Sequence, residues 1–144
     1  MIDGVTNADA IPVLERLVQF AGRRHRLIAH NIANLDTPGF RPVDVSPQAF
    51  QAQLGRAIDQ RRAEHGNQGG RLPIESSRQV RVTPAGLDLR PEPVGENILF
   101  HDGNDRNPER IMQSMVENFV TFRAAADLLK SRLDFIDTAI RGRL

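Results

Sequence analysis

Apolar residues recur at helical spacing at both ends of the chain and lose that spacing in the middle. Near the N-terminus they step alternately by three and four residues, a pattern typical of a helix that packs against another helix. The pattern predicts a helix that ends near Leu35, because Thr37-Pro38-Gly39-Phe40 is typical of a type II turn with glycine at the position of positive φ. The seam positions of this helix are Ile11, Leu14, Val18, Ala21, Ile28, Ile32 and Leu35, with His25 in the one polar position.

The C-terminal segment has the more regular pattern, four heptads in which every seam position is apolar. Asn107 is suited to cap this helix and Pro108 to occupy its first turn. A helix from Pro108 to Arg141 is about 50 Å long, more than a small globular domain usually spans. We therefore expect the terminal helices to pair as an extended antiparallel coiled coil, with a buried core helix of a bundle as the alternative. The seam positions are Met112, Met115, Phe119, Phe122, Ala126, Leu129, Leu133, Ile136 and Ile140.

Each terminal helix also carries a second apolar stripe, which a two-helix hairpin would leave exposed. Large contiguous apolar patches seldom stay exposed, and full burial of Phe20 or Phe135 would contribute about 1.5–3 kcal/mol each. The second stripes are therefore expected to meet the middle segment or other protein chains. They consist of Val13, Leu17, Phe20 and Leu27, interrupted by Arg24, and of Ala125, Leu128, Phe135 and Ala139, interrupted by Arg132.

The middle of the chain is less regular. Ser46 can cap a short helix that begins at Pro47 and runs towards Glu64, and residues 79–83 alternate like an edge strand before prolines interrupt the pattern. We predict a mainly α chain in three parts. An N-terminal coiled-coil helix covers residues 1–36, a loop-rich middle module with two to four short strands covers 37–106, and a C-terminal coiled-coil helix covers 107–144.

Composition excludes several classes of protein. The 144 residues carry a net charge of +1 and contain no cysteine, which rules out a disulfide scaffold, a thiolate zinc site and a cysteine nucleophile. No stretch has the ~18 consecutive apolar residues of a membrane-spanning helix, and no basic leader precedes an unbroken apolar core. The sequence therefore predicts a protein without membrane insertion, which either stays in the cytoplasm or leaves without a cleaved signal peptide.

Candidate chemical groups are sparse. His25 and His30 are five residues apart, a spacing that does not place them on one helix face. Residues 101–105 are similar to an acidic calcium loop, but Arg106 stands where a ligand is expected. The basic residues 23–26 lack the interleaved aromatic residues of a nucleic-acid site. We therefore expect no catalytic set, no cofactor, no metal and no nucleic-acid partner.

The segment from Arg24 to Phe40 resembles the N-terminal signature of the bacterial flagellar rod and hook proteins. The core of the signature is Asn31-Ile32-Ala33-Asn34, followed by Thr37-Pro38-Gly39-Phe40. The short length and residues 36–41 are most similar to a proximal rod protein. At the other end, His101-Asp102-Gly103-Asn104 before a long apolar helix resembles the Asp-Gly-Asn sequence of the same family. The resemblance covers the two ends, about half of the chain.

This resemblance implies a structural subunit of the flagellar basal-body rod, the periplasm-spanning shaft between the inner-membrane ring and the hook. It implies export through the flagellar type III apparatus, and terminal helices that pack with self copies, neighbouring rod subunits and the rod–ring junction protein around a central export channel. The alternatives are a FlgC-like rod subunit of the same family, a cytoplasmic coiled-coil adaptor or export chaperone, and a small enzyme that uses His101 with Asp102.

Two sets of site residues follow from the resemblance. In the family motif, Asn31 and Asn34 are expected to satisfy terminal backbone carbonyls or groups of another subunit, while Pro38 and Gly39 fix the direction in which the chain leaves the helix. The assembly seams are expected to be Ile11, Leu14, Val18, Ile28 and Ile32 on the first helix, and Met115, Phe119, Phe122, Leu129, Leu133, Ile136 and Ile140 on the last.

Overall fold

The computed structural model describes residues 10–65, 71–94 and 108–142. These residues are mainly helical, as predicted, and form three helices with four short strands between them. The predicted cap at Asn107 and the segment 101–105 lie outside the described residues. In chain order the elements are α1 (Ala10–Ala33), β1 (Val43–Asp44), α2 (Pro47–His65), β2 (Val80–Thr83), β3 (Gly86–Leu89), β4 (Glu92–Pro93) and α3 (Pro108–Ile140).

The terminal helices α1 and α3 pack against each other, in the most extensive contact between any two of the described elements. At the middle of the contact, Asn118 Nδ2 donates a hydrogen bond of 2.8 Å to the backbone oxygen of Ala21. The Phe122 ring lies 3.4 Å from the point that a Cβ atom on Gly22 would occupy. Because two consecutive residues of α1 are small, α3 can approach the α1 backbone closely here.

A small apolar core lies between α1 and the middle of the chain. The rings of Phe20 on α1 and Phe50 on α2 stack with their centroids 4.0 Å apart, and Val13 and Leu17 pack against the same core. The second stripe of α1 is thus covered largely by the middle segment, one of the two coverings predicted. The buried members of the core are Phe20, Val45, Phe50, Leu54, Ala57, Leu72, Val80 and Leu87.

The four strands form two separate antiparallel pairs. In one pair, β1 lies beside β4 with Val43 opposite Pro93. In the other, β2 and β3 form a hairpin in which Val80 lies opposite Leu89. Gly86 begins β3 with a φ of 131°, and a Cβ atom there would lie 3.1 Å from Gln19 Oε1 of α1. The positive φ favours glycine at this position, and a Cβ atom would also require a small shift of the Gln19 side chain.

The helix predicted in the middle segment is present as α2. Its N-terminus is capped as expected, since Ser46 Oγ accepts a hydrogen bond of 3.1 Å from the Ala49 N–H. Gln53 and Arg61, two turns apart, are both buried, and Gln53 Nε2 donates to the backbone oxygen of Glu75. The buried side of α2 therefore holds polar as well as apolar groups, which simple apolar periodicity does not predict.

Candidate assembly surfaces of the paired helices

Asn31, the first residue of the family motif, links the end of α1 to strand β1. Its side chain is buried, with 3% exposure. Its Nδ2 donates to the Val43 oxygen at 2.7 Å, and its Oδ1 accepts from the Val43 N–H at 3.2 Å. The carboxamide therefore satisfies both backbone groups of one strand residue, as a neighbouring strand would. The partner lies within the same chain and on the strand that follows the motif.

Asn34 and the turn that follows have a different role. Asn34 Nδ2 donates to the backbone oxygen of His30 at 2.8 Å, one of the carbonyls left free at a helix end. The Phe40 N–H donates to the Thr37 oxygen at 3.1 Å, and Gly39 has a φ of 73°. These are the features of a type II turn. The Phe40 ring packs edge-on against His30, with centroids 5.8 Å apart.

A second link joins α1 to β1, about two helical turns before Asn31. Arg24 Nε and Nη2 donate to the two carboxylate oxygens of Asp44, at 2.9 and 2.6 Å. The side chains are 7% and 22% exposed, so the pair is largely shielded from water. Arg24 is the residue that interrupts the second apolar stripe of α1. Its bidentate bond to Asp44 explains how a charged residue is accommodated there.

The start of α2 and the two strand pairs meet at a polar cluster. Gln79 Oε1 accepts from the Ser46 N–H at 2.8 Å, and Gln79 Nε2 donates to Glu92 Oε2 at 3.0 Å. Arg78 Nε donates to the other carboxylate oxygen of Glu92 at 2.5 Å. The hydrogen bond from Gln79, together with the bond and charge of Arg78, lowers the pKa of Glu92 against an opposing effect of burial.

The predicted seam residues of α1 lie on its inner side. Ile28 is buried at 1% exposure, and the other four predicted positions are half-buried. The hydrogen-bonded Asn31 lies on the same side. The half-buried positions are Ile11, Leu14, Val18 and Ile32.

The predicted seam of α3 divides between two environments. The most buried positions of this helix are Asn118 and Ala125, which lie one heptad apart and outside the predicted seam. Seam residues on the same side are half-buried, and the others are exposed. The half-buried residues are Met115, Phe122, Leu129 and Ile136, and the exposed ones are Phe119, Leu133 and Ile140.

The outer side of α3 presents large apolar side chains to solvent. Met112, Val116, Phe119 and Val120 are between 53% and 61% exposed and lie on one face near the N-terminal end of the helix. Leu128 and Phe135, from the second stripe of α3, are 54% and 47% exposed and lie on a different face. Unlike α1, α3 therefore has apolar surface that the described part of the chain does not cover.

No cluster of three metal-ligating side chains occurs among the described residues. Within the same residues, none of the helices is sufficiently long and apolar to cross a membrane. A cleft of about 460 Å³ lies between the β1–β4 pair and the start of α3. Opposite charges line it, among them Arg24, Asp44, Glu92 and Glu117.

Sequence reasoning did not identify three residues that organise these surfaces. Asp44 lies in a strand of two residues that carries no periodicity. Gln79 begins the alternating segment 79–83, but alternation does not indicate which groups a polar side chain binds. The partners of both residues are distant in the chain. Asn118 is a polar residue outside the predicted seam of α3, so the apolar pattern did not indicate that it would be buried. A bonding role for Arg24 could have been suspected, because a single charged residue inside an apolar stripe needs a partner when it is buried.

The structure combines two long helices that pack together, a small module linked to one of them, and apolar side chains exposed on the other. These are features of a structural subunit that binds further protein chains. The chain is 31% identical over 128 residues to the flagellar basal body rod protein FlgB of Proteus mirabilis, with 83% of this chain and 84% of the relative covered. The chain belongs to the FlgB family of flagellar basal body rod proteins.

Other FlgB relatives align with this chain over nearly its whole length. The FlgB proteins of Borrelia hermsii and Salmonella typhimurium are 24% and 25% identical, each over 136 residues and 92% of this chain, with 96% and 94% of the relatives covered. No protein-family model matches the chain. These relatives are all FlgB proteins. The chain is therefore a structural subunit of the flagellar basal-body rod, and the alternative of a FlgC-like subunit is not favoured.

Proposed function

We propose that the chain is a purely structural subunit of the proximal part of the flagellar rod, without catalytic activity, and that its terminal helices carry its contacts with other subunits. The observation that carries this proposal is the exposed apolar surface of α3. A subunit that functioned alone would gain by burying such side chains. In an assembled rod, neighbouring subunits would cover them.

The α1–α3 pair is proposed to be an antiparallel coiled coil. Ala21 contacts Asn118, whereas Ile28, later in α1, lines the same cleft as Ile111, earlier in α3. Residues that follow along one helix thus approach residues that precede along the other, which supports the antiparallel direction. The proposed unit comprises helices within residues 1–36 and 107–144, with residues 37–106 as the module attached to it.

The proposed partners are further copies of the chain, neighbouring rod subunits and the rod–ring junction protein. The proposed location is the periplasm-spanning rod, reached through the flagellar type III export apparatus without a cleaved signal peptide. The family assignment supports this route, since the flagellar rod lies beyond the inner membrane. The terminal helices and the motif from Asn31 to Phe40 are the proposed assembly elements.

Quantitative mass spectrometry of purified hook–basal bodies, compared with the cytoplasmic fraction of the same bacterium, tests the proposal. We expect a few copies of the chain per particle, and we expect them to resist washing. Detection in the cytoplasm alone would overturn the rod assignment and favour the adaptor or chaperone. A salt wash that removes the chain from the particles would also contradict it, because an axial subunit is held on several sides.

A further inference from the structure

We infer that Asn118 fixes the axial register of the α1–α3 pair, that is, which residue of one helix lies level with which residue of the other. Asn118 is 4% exposed and Ala21 is completely buried. Asn118 Nδ2 donates to the Ala21 oxygen at 2.8 Å, and a carbonyl oxygen has two lone pairs, so it can accept this bond in addition to one within α1. This role of Asn118 concerns the single chain and goes beyond the proposed function.

The apolar contacts of the two helices do not by themselves select one register. The half-buried seam residues on the packed side of α3 recur at every seventh position. A shift by one heptad, about 10 Å along the helix axis, therefore replaces one large apolar residue by another at each of these positions. The residues are Met115, Phe122, Leu129 and Ile136.

The axial position of α3 depends mainly on α1. Among the described elements, α3 makes extensive contact only with α1, and a cleft of about 460 Å³ separates its start from the β1–β4 pair. Residues 95–107 link β4 to α3, and an extended chain of that length can span more than about 40 Å. The length of the connection therefore permits a shift of one heptad.

A shifted register leaves the Asn118 amide without a partner. A shift in one direction places Asn118 level with Ile28, and a shift in the other places it level with Leu14, because each lies one heptad from Ala21. Both residues are large, whereas Ala21 and Gly22 are small enough for a short side chain to reach the α1 backbone. A buried amide without a hydrogen bond is unfavourable. Of the three registers, only the observed one satisfies Asn118.

The register determines the shape of the chain. The middle module is attached to α1 through Asn31, which binds Val43, and through Arg24, which binds Asp44. A shift of one heptad therefore moves the module by about 10 Å relative to the exposed apolar side chains of α3. Asn118 is thus a positioning residue, which gives the module and the apolar surface of α3 one fixed arrangement.

The distance between two spin labels, measured by double electron–electron resonance, reports the register. The chain has no cysteine, so Arg26→Cys and Lys130→Cys, both at exposed positions, restrict the labels to one site on each helix. With Ala21 level with Asn118, the two sites are about 25 Å apart along the axis. The labelled full-length protein is diluted with unlabelled protein, so that only distances within one chain are measured.

Two substitutions remove the amide in this labelled background. Asn118→Leu keeps a side chain of similar size, and Asn118→Ala adds no volume and makes the position identical to Ala125, one heptad away. Gln113→Leu is the matched control, because it removes an exposed amide whose hydrogen bond is to Glu117 of the same helix. Circular dichroism verifies that each variant keeps its helical content.

The wild-type chain and Gln113→Leu should show a single distance. We expect Asn118→Leu and Asn118→Ala to show a second distance that differs by about 10 Å, in at least about one tenth of the molecules. Where Asn118→Leu does not fold, Asn118→Ala decides.

A single, unchanged distance in the folded Asn118 variants would overturn the inference, even if urea unfolding shows that they are less stable. Asn118 would then be a packing contact that does not select the register. A second distance in the wild-type chain or in Gln113→Leu would also overturn it, because the register would then not depend on Asn118.

Discussion

The carboxamide of Asn31 binds both backbone groups of Val43, donating to the oxygen at 2.7 Å and accepting from the N–H at 3.2 Å. On its other side, the β1 strand pairs with β4, where Val43 lies opposite Pro93. The Pro42 oxygen accepts from the Val94 N–H at 3.0 Å, so the backbone groups of Val43, the next residue, point away from β4 and towards Asn31. The family motif thus joins the assembly helix α1 to the β1–β4 pair.

Asn31→Ala should lower the free energy of unfolding by about 2 kcal/mol or more, because it leaves two buried backbone groups without partners. Urea unfolding of the purified chain measures the change. Asn34→Ala is the matched control: its hydrogen bond to His30 is exposed to solvent, so a loss below about 1 kcal/mol is expected. Equal losses in the two variants would contradict the distinct role of Asn31.

The local features around this motif could be predicted from sequence, and the long-range ones could not. The end of α1 and the Thr37–Phe40 turn follow from proline and glycine chemistry within a few residues. The partner of Asn31 is twelve residues away, on a strand of two residues that carries no periodicity. An amide side chain can bind many backbone groups, so its choice of Val43 depends on tertiary packing.

Breaking the buried ion pair between Arg24 and Asp44 should lower the free energy of unfolding. Arg24→Met leaves the Asp44 carboxylate unpaired, and Asp44→Asn leaves the guanidinium unpaired; each should destabilise the chain by about 3 kcal/mol. The double variant should lose less than both single losses together, with a coupling energy above about 1 kcal/mol in urea unfolding.

The control for this cycle is the exposed pair of Arg123 and Asp127, whose side chains are 68% and 63% exposed. Arg123→Met should change the free energy of unfolding by less than about 0.5 kcal/mol. Strict additivity of Arg24→Met and Asp44→Asn would show that the two groups do not act as a pair.

Glu92 should make the stability depend on pH in the acid range. Its pKa is lowered in the folded chain, chiefly by the hydrogen bond from Gln79, so its contribution to stability is present above the ordinary value of 4.5 and is lost as the pH falls through the lowered pKa. Glu92→Gln removes this titration. Urea unfolding from neutral pH to below 4.5 should therefore show a smaller loss of stability in the variant. The same acid dependence in both proteins would contradict a role for Glu92.

The existence of the long helix α3 was predictable, but its packed face was predictable only in part, since Phe122 and Leu129 of the predicted seam are half-buried and lie on that face. The apolar heptads predicted a seam that includes Phe119 and Leu133, but both residues are exposed in the single chain. The side facing α1 instead contains Asn118 and Ala125. Small residues at Ala21 and Gly22 bring the helices close, so a short polar side chain fits and finds a carbonyl. The periodicity of apolar residues predicts which faces of a helix are apolar. It does not distinguish the face that packs within the chain from the face that another chain would cover.

Gly39→Val should disturb the turn without creating a collision. Gly39 has a φ of 73°, and among the described residues other than its two chain neighbours no atom lies within 4 Å of the point that a Cβ atom would occupy. The expected loss of about 1–2 kcal/mol therefore comes from backbone strain. Incorporation into hook–basal bodies should be abolished, because the chain leaves α1 in a different direction. Gly39→Asn should be milder, since asparagine tolerates positive φ. Normal rod assembly with Gly39→Val would count against the turn.

Leu129→Asp tests the part of the predicted seam that lies on the packed side of α3. Leu129 is half-buried, whereas its neighbour Leu128 is 54% exposed. A carboxylate at position 129 enters the helix pair without a partner, and we expect a loss of about 1–3 kcal/mol in urea unfolding together with failure to assemble. Leu128→Asp should keep the stability within about 0.5 kcal/mol of wild type. Unchanged stability, motility and rod yield for Leu129→Asp would mean that this position does not belong to the helix seam.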